Sequence, residues 1–142
     1  MAGAIRVLVA DDYEPLRRFI SLTLEKLPQL KLVGEASDGL EAVQKAQELR
    51  ADMILLDVSL PKLNGFEVAR RILEHVPQLR IIFLSENRSP DIAGAALSTG
   101  ACGYVLKSDA PSELLPAVIA VLEDRRFVSA SLAGRDLTDP AR

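Results

Sequence analysis

The sequence has very few of the residues that build covalent cross-links and transition-metal sites. It contains one cysteine, Cys102, and one histidine, His75. An internal disulfide is therefore excluded, and two such isolated residues indicate structural roles rather than a transition-metal site. A single free cysteine is typical of a reducing compartment, so we expect a cytoplasmic protein.

Long apolar runs and an excess of positive charge are also missing. The apolar runs are far too short to cross a bilayer, and no basic segment followed by a long apolar stretch opens the chain. The net charge is −3 at pH 7, which argues against a strongly basic nucleic-acid surface. We expect no signal peptide, no membrane contact and no direct nucleic-acid binding by this chain.

Glycine-rich phosphate loops are absent too, because no Gly-x-Gly-x-x-Gly and no Walker lysine follow the first apolar run. What the sequence does have is enough apolar side chain for one domain with a core, since 49% of its 142 residues are hydrophobic. Because the phosphate-binding loops are absent, nucleotide binding is not expected.

Short β-branched runs alternate with amphipathic stretches along the chain. The apolar run 53–58 has no polar alternation, which indicates a strand buried on both faces in the middle of a parallel sheet. Asp38 can cap the second helix, and Pro116 falls inside the fifth, where it should kink that helix. The pattern predicts an α/β fold of five strand–helix units. The predicted strands are 5–10, 31–36, 53–58, 80–85 and 103–107, and the predicted helices include 15–27, 65–75, 90–99 and 111–126.

Polar side chains follow the predicted strands at their carboxyl ends, where ligands bind in parallel sheets. Asp11 and Asp12 follow the first strand, Asp57 the third, Ser85 the fourth and Lys107 the fifth. Three carboxylates in one cleft would raise each other's pKa values. A hard divalent cation relieves that repulsion, and Mg²⁺ prefers such oxygen ligands.

Each residue also has an ordinary structural interpretation. Asp11 and Asp12 could cap a helix, Ser85 could belong to a turn, and Lys107 could be a solvated charge. Tyr104 could be a core aromatic with its hydroxyl at the rim. These interpretations do not explain why several strands deliver polar groups to the same edge of the sheet.

Phosphoryl transfer to a carboxylate fits the combined pattern. A carboxylate can act as a nucleophile and form an aspartyl phosphate, and the barrier is mainly one of positioning and charge neutralisation. Mg²⁺ would neutralise phosphoryl oxygens, Lys107 would contact another as a point charge, and Ser85 would donate a hydrogen bond.

Four segments resemble the receiver domains of two-component response regulators: 7–12, 55–65, 83–85 and 100–107. The resemblance covers about residues 5–126. It implies a flavodoxin-like (βα)5 fold, a doubly wound sheet of five parallel strands in the order 2-1-3-4-5. We expect a receiver domain at 1–128 and a C-terminal tail or the start of a linker at 129–142.

The resemblance also implies a role for each residue of the metal and phosphoryl site. Asp57 would be the phosphoacceptor and Asp12 a direct Mg²⁺ ligand, with Asp11 acting largely through water. Ser59 would offer its backbone carbonyl to the metal, and Lys107 would contact the phosphoryl group. Such a protein is a signalling phosphoacceptor and not an enzyme with turnover on another substrate.

A switch and a partner surface are implied in the same way. Ser85 would turn toward the phosphoryl group and Tyr104 would turn inward, which would alter the surface of the fourth helix, fifth strand and fifth helix. Ser59 and Asn87 would tune dephosphorylation. The donor would be a sensor histidine kinase or a phosphotransfer protein, and a homodimer on phosphorylation is left open.

Ser108 after Lys107 is common in the NarL/FixJ-like subfamily, whereas many receivers have proline there. Residues 126–133 resemble the segment that precedes a helix-turn-helix output domain, which implies control of transcription through a domain absent from this chain. A stand-alone receiver and a piece of a longer regulator both stay open, as does the conformation of the Lys107–Ser108 bond. A phosphatase of the haloacid-dehalogenase type and a phosphate-independent scaffold are the alternatives.

Overall fold

The computed structural model describes residues 3–133 as a parallel six-stranded sheet with helices on both faces. None of the described helices is long and apolar enough to cross a membrane. The strands are β1 (Ile5–Ala10), β2 (Leu30–Ala36), β3 (Met53–Asp57), β4 (Arg80–Ser85), β5 (Gly103–Leu106) and β6 (Phe127–Val128). The helices are α1 (Glu14–Leu24), α2 (Gly39–Glu48), α3 (Gly65–His75), α4 (Pro90–Ser98), α5 (Ala110–Leu122) and α6 (Ala130–Ala133).

The strand order is β2-β1-β3-β4-β5-β6, so the predicted order of the first five strands is confirmed. The sixth strand was not predicted. Phe127 and Val128 pair in parallel with Gly103 and Tyr104 at the outer edge of β5. A strand of two residues is too short to show any periodicity in the sequence.

The sheet separates two apolar layers. The layer formed with α2, α3 and α4 includes Ile72 and Phe83, and the layer formed with α1 and α5 includes Ile20 and Val118. Every residue of β3 is buried, as the absence of polar alternation predicted. The central strands are therefore shielded from water on both faces, and the carboxyl edge is left as the accessible end of the sheet.

Some elements end earlier than predicted. The first helix ends at Leu24, before the turn that contains Pro28, and α5 ends at Leu122 instead of Arg126. The fifth strand ends at Leu106, so Lys107 begins a short 3-10 turn. Asp38 caps α2 as predicted, by accepting a hydrogen bond from the backbone of Glu41. The exposed Pro116 does lie inside α5, and the kink at that residue stays a prediction.

Ser129 connects the chain after α5 to strand β5. Its hydroxyl is fully buried, accepts a hydrogen bond from the Leu106 backbone N–H at 2.7 Å and donates one to Glu113 at 2.6 Å. The Ser129 N–H donates to the Tyr104 carbonyl at 3.0 Å, and the other Glu113 oxygen accepts from Ala130 at 2.9 Å. We call this set of hydrogen bonds the Ser129 clasp.

The clasp continues the folded structure past the predicted domain boundary. The short helix α6 follows it, and Leu132 is buried against the core. A boundary between 1–128 and 129–142 stays a prediction, and residues 134–142 lie outside the part of the chain that the structure describes.

Candidate functional site

The carboxyl ends of four strands surround one open cavity of about 960 Å³. Asp12 lies just after β1, Asp57 ends β3, Ser85 ends β4 and Lys107 follows β5, and all four line the cavity. Their convergence follows from the parallel sheet, because every such strand delivers its last residue to the same edge. The remaining polar lining includes Ser59 and Asn87, and the apolar lining includes Pro15, Leu16, Phe19 and Pro111.

Three aspartates form an acidic cluster beside this cavity. One carboxylate oxygen from each of Asp11, Asp12 and Asp57 lies within 4.8 Å of the other two. Asp11 and Asp57 are buried, whereas Asp12 is exposed. The fully buried oxygen Asp11 Oδ2 accepts no well-directed hydrogen bond within residues 3–133. A cluster of three carboxylates offers only oxygen ligands, which fits a hard divalent cation.

Lys107 is the cation that the cluster already contains. Its ammonium nitrogen lies 2.7 Å from Asp11 Oδ2 and 3.3 Å from Asp57 Oδ2. Burial alone disfavours the ammonium charge, but the two carboxylates outweigh it and raise the Lys107 pKa above its usual value. One ammonium cannot neutralise three carboxylates, so the site keeps an excess of negative charge.

Asp57 is held in an environment that disfavours its ionised form. Burial is the main cause of its raised pKa, and the negative charge of Asp11 adds to it. The Ser59 N–H, which donates to Asp57 Oδ1 at 3.0 Å, and the Lys107 charge partly offset this effect. Ionised Asp57 is therefore an incompletely compensated charge, which a bound cation can relieve.

The raised pKa predicts how stability depends on pH without added metal. Because the folded pKa of Asp57 exceeds its ordinary value of 3.8, ionisation favours the unfolded chain, and stability falls as pH rises through this window. Asp57→Asn removes that titration. We expect this variant to be more stable than the wild type at neutral pH, by a margin that shrinks toward acid pH in urea unfolding experiments.

Asp124→Asn is the control for this measurement, because Asp124 is exposed and its ion pair with Arg80 is solvated. Its left-handed backbone conformation, with φ of 61°, is one that asparagine tolerates well. The raised pKa of Asp57 is contradicted if Asp57→Asn is no more stable than the wild type at neutral pH. It is also contradicted if the difference in free energy of unfolding grows as the pH falls.

Close backbone packing holds the loop between β3 and α3 in place beside Asp57. The Gly65 N–H donates to the Val58 carbonyl at 2.8 Å, and Asn64 caps α3 through the Glu67 backbone. A Cβ atom on Gly65 would lie 2.4 Å from the Asp57 carbonyl oxygen. The helix can approach the end of β3 this closely only because Gly65 has no side chain.

Ser85 and Tyr104, the predicted switch pair, meet through the backbone of Asn87. The Ser85 hydroxyl accepts a hydrogen bond from the Asn87 N–H at 3.0 Å, and the Tyr104 hydroxyl donates to the Asn87 carbonyl at 2.7 Å. The Tyr104 side chain is fully buried, and this burial raises its pKa. In this state Tyr104 points inward and Ser85 is engaged with its own loop.

Three contacts at or near the site were missed in the sequence analysis. The Arg17 guanidinium donates to the Asp11 carbonyl at 2.7 Å and to Glu35 at 2.8 Å. Arg88 donates to the Ser108 hydroxyl at 3.1 Å, across the loops that follow β4 and β5. The Lys107–Ser108 peptide bond is trans. Nothing in the spacing of these residues marks them, since one contact goes to a backbone oxygen and the other two join residues 18 and 20 positions apart.

A sequence model of the response regulator receiver domain matches residues 7–119. The chain belongs to this family. It is 33% identical over 129 residues to response regulator GacA of Pseudomonas viridiflava, covering 91% of this chain and 60% of that protein. It is equally similar to response regulator UvrY of Escherichia coli strain K12, covering 91% of this chain and 59% of that protein. The receiver thus spans about 60% of the length of these curated relatives.

Solved receiver structures agree with this assignment. A LuxR-family two-component response regulator from Aurantimonas sp. SI85-9A1 superposes with a TM-score of 0.89 at 30% identity, covering 99% of this chain and 100% of that one. The isolated receiver of RcsB from Salmonella enterica serovar Typhimurium, solved with phosphomimetic BeF3-, gives a TM-score of 0.86 at 30% identity. The match covers 92% of this chain and 97% of that one. The prediction of a receiver domain that resembles the NarL/FixJ-like subfamily is confirmed. The chain is a receiver domain of a two-component response regulator.

Proposed function

We propose that Asp57 accepts a phosphoryl group from a phosphohistidine on a sensor histidine kinase or a phosphotransfer protein, in a reaction that requires Mg²⁺. The observation that carries this proposal is the buried Asp57 carboxylate, which lies in an acidic cluster, 3.3 Å from Lys107, at the wall of an open cavity. A buried nucleophile beside a lysine ammonium and further carboxylates that can hold a metal ion has the parts that phosphoryl transfer needs.

The metal would be held by the carboxylates of Asp11, Asp12 and Asp57 and by the Ser59 backbone carbonyl. When bound, Mg²⁺ supplies neutralisation of the charge on the phosphoryl oxygens. The Asp57 carboxylate attacks the phosphorus atom, and the bond from phosphorus to the donor nitrogen breaks. Lys107 then exchanges its ion pair with Asp57 for one with a phosphoryl oxygen, which keeps its ammonium charge compensated.

The apolar side of the cavity supports a protein donor. Pro15, Leu16, Phe19 and Pro111 line that side, and the neighbouring Tyr13 is 62% exposed. A small phosphate ester gains little from apolar side chains beside the charged groups, whereas a helix that presents a phosphohistidine can bury them. The same surface would still admit acetyl phosphate to Asp57.

Phosphorylation would shift the Ser85–Asn87–Tyr104 arrangement. Ser85 would turn to donate a hydrogen bond to the phosphoryl group. Tyr104 already points inward, so it would change its hydrogen bond to the Asn87 carbonyl instead of rotating inward, which would alter the surface of α4, β5 and α5. Ser59 and Asn87 both line the cavity, in keeping with a role in tuning dephosphorylation.

We assign the receiver to the cytoplasm, where it would control transcription through a DNA-binding domain and could dimerise on phosphorylation. A solved structure of a relative shows two RcsB dimers on DNA.

The proposal is tested by incubating the protein with Mg²⁺ and acetyl phosphate and separating the products on a phosphate-affinity gel. We expect a retarded band that is lost in Asp57→Asn and in the presence of a chelator, because the nucleophile or the metal is then missing. Peptide mapping should place the added phosphoryl mass on Asp57. If folded protein gives no band with either acetyl phosphate or a phosphorylated histidine kinase, the chain is a phosphate-independent scaffold. Steady turnover of a phosphate ester that depends on Asp11 or Asp12 would favour a phosphatase.

A further inference from the structure

Arg17, on the second turn of α1, ties three elements together at the edge of the acidic cluster. Its guanidinium donates to the Asp11 carbonyl in the loop after β1 and to the Glu35 carboxylate on β2. The Arg17 side chain is only 16% exposed, whereas that of its neighbour Arg18 is 72% exposed and paired loosely with Glu14 at 3.5 Å. Two consecutive arginines on one helix are therefore in contrasting environments.

The contact with Asp11 fixes the backbone where the cluster needs it. The Asp11 N–H is held by the Ala36 carbonyl at 3.0 Å, and Asp11 Oδ1 accepts from the Tyr13 N–H at 2.8 Å. The Asp11 carbonyl, which belongs to the peptide unit joining Asp11 to Asp12, is held by Arg17. Arg17 thus completes the hydrogen bonding of the turn from which Asp12 projects.

Asp12 depends on that turn because its own side chain has little else to orient it. It is exposed, and within residues 3–133 it makes no hydrogen bond or ion pair. Asp11 and Asp57, by contrast, are buried and held by Lys107. Asp12 is therefore placed by its backbone, which Arg17 helps to hold, and not by contacts of its side chain.

We propose that Arg17 is a positioning residue for the divalent cation, which it does not touch, and that it acts by holding the Asp11–Asp12 peptide so that Asp12 faces Asp57. This inference rests on the proposed function, because it requires the acidic cluster to bind a metal. Glu35 contributes by anchoring the other edge of the guanidinium to β2. Groups that orient metal ligands in this way commonly change metal affinity 10- to 100-fold.

The sign of the effect separates positioning from simple electrostatics. Arg17 carries a positive charge near a cation site, so its charge alone would repel Mg²⁺, and removing it would tighten binding. If Arg17 positions the ligands, removing it weakens binding in spite of the lost repulsion. Added salt screens the long-range charge effect but leaves the positional effect in place.

The experiment is a titration of the full chain with Mg²⁺ alone. Binding is measured by calorimetry and by the amide chemical shifts of ¹⁵N-labelled protein. We expect Arg17→Gln to weaken Mg²⁺ binding about tenfold or more. Arg18→Gln removes the same charge from the next residue, and its affinity should stay within about twofold of the wild type. The amide spectrum and a urea unfolding curve establish that each variant is folded.

Arg17→Lys, compared with Arg18→Lys, decides the matter if Arg17→Gln does not fold. Lysine keeps the charge but has one nitrogen, which cannot span the Asp11 carbonyl and Glu35, so we expect affinity between those of Arg17→Gln and the wild type. The inference is overturned if Arg17→Gln binds Mg²⁺ as tightly as the wild type or more tightly. If Arg17→Gln is unfolded, wild-type Mg²⁺ affinity in Arg17→Lys overturns it instead. Either result leaves the proposed function intact. Absence of Mg²⁺ binding by the wild type would instead remove the metal site, and both proposals with it.

Discussion

Replacing Lys107 with glutamine is expected to slow phosphorylation of Asp57 by acetyl phosphate about 100-fold or more, as loss of one preorganised electrostatic contact does in other active sites. The Lys107 ammonium contacts both Asp11 and Asp57 and lines the cavity into which phosphoryl oxygens would come. Glutamine leaves a dipole where a full charge had stabilised the transition state. It also leaves two buried carboxylates without their counter-ion, so the Asp57 pKa should rise further.

The rate is measured as the appearance of the retarded band with time at saturating Mg²⁺. Lys62→Gln is the matched control: Lys62 lies in the loop after Asp57, but its side chain is 64% exposed and pairs with Asp38. That variant should be phosphorylated within about twofold of the wild-type rate, because the charge of a solvated lysine is largely screened by water and salt. Equal rates for Lys107→Gln and Lys62→Gln would remove Lys107 from the reaction.

Replacing Gly65 with alanine is expected to lower the free energy of unfolding by about 2–3 kcal/mol, the cost of forcing a methyl group into a closely packed site. The added Cβ would lie 2.4 Å from the Asp57 carbonyl oxygen and 2.9 Å from the Val58 Cα. Both are backbone atoms, which cannot rotate away as a flexible side chain would. Either α3 or the end of β3 must shift, and a shift of β3 displaces Asp57 itself. Phosphorylation should therefore slow as stability falls.

Gly94→Ala is the control for this substitution. Gly94 lies inside α4, and a Cβ built there meets nothing within 4 Å. Alanine is the better helix former, so this variant should gain up to about 1 kcal/mol of stability with no change in phosphorylation rate. Urea unfolding of both variants gives the comparison. A stable Gly65→Ala variant with wild-type phosphorylation would show that the contact between α3 and β3 relaxes without cost.

The residues that end the strands were predictable because the sheet is parallel. Once Asp11, Asp57, Ser85 and Lys107 are each placed at a strand end, the fold brings them together without further information about side chains. The lack of polar alternation in β3 predicted a strand in the middle of the sheet, whereas its place next to β1 was implied by the resemblance to receiver domains. The acidic cluster thus follows from element order and residue type alone.

Several of the contacts that sequence reasoning missed are made by side chains to backbone atoms. Arg17 binds the Asp11 carbonyl, Tyr104 the Asn87 carbonyl and Ser129 the Leu106 N–H. A backbone oxygen or N–H is present at almost every residue, so no pairing of residue types reveals such partners. For the same reason β6 was missed, since its pairing with β5 uses only backbone atoms over two residues.

The Ser129 clasp determines how the receiver would bear a mechanical load. A pull on the chain at residue 133 passes through α6 to Ser129, and part of it is transmitted by hydrogen bonds to the backbone of Tyr104 and Leu106. Because β6 runs parallel to β5, those bonds are loaded together, along the strand. Tension applied beyond α6 is therefore carried in part by the strand that immediately precedes Lys107, and not by α5 alone.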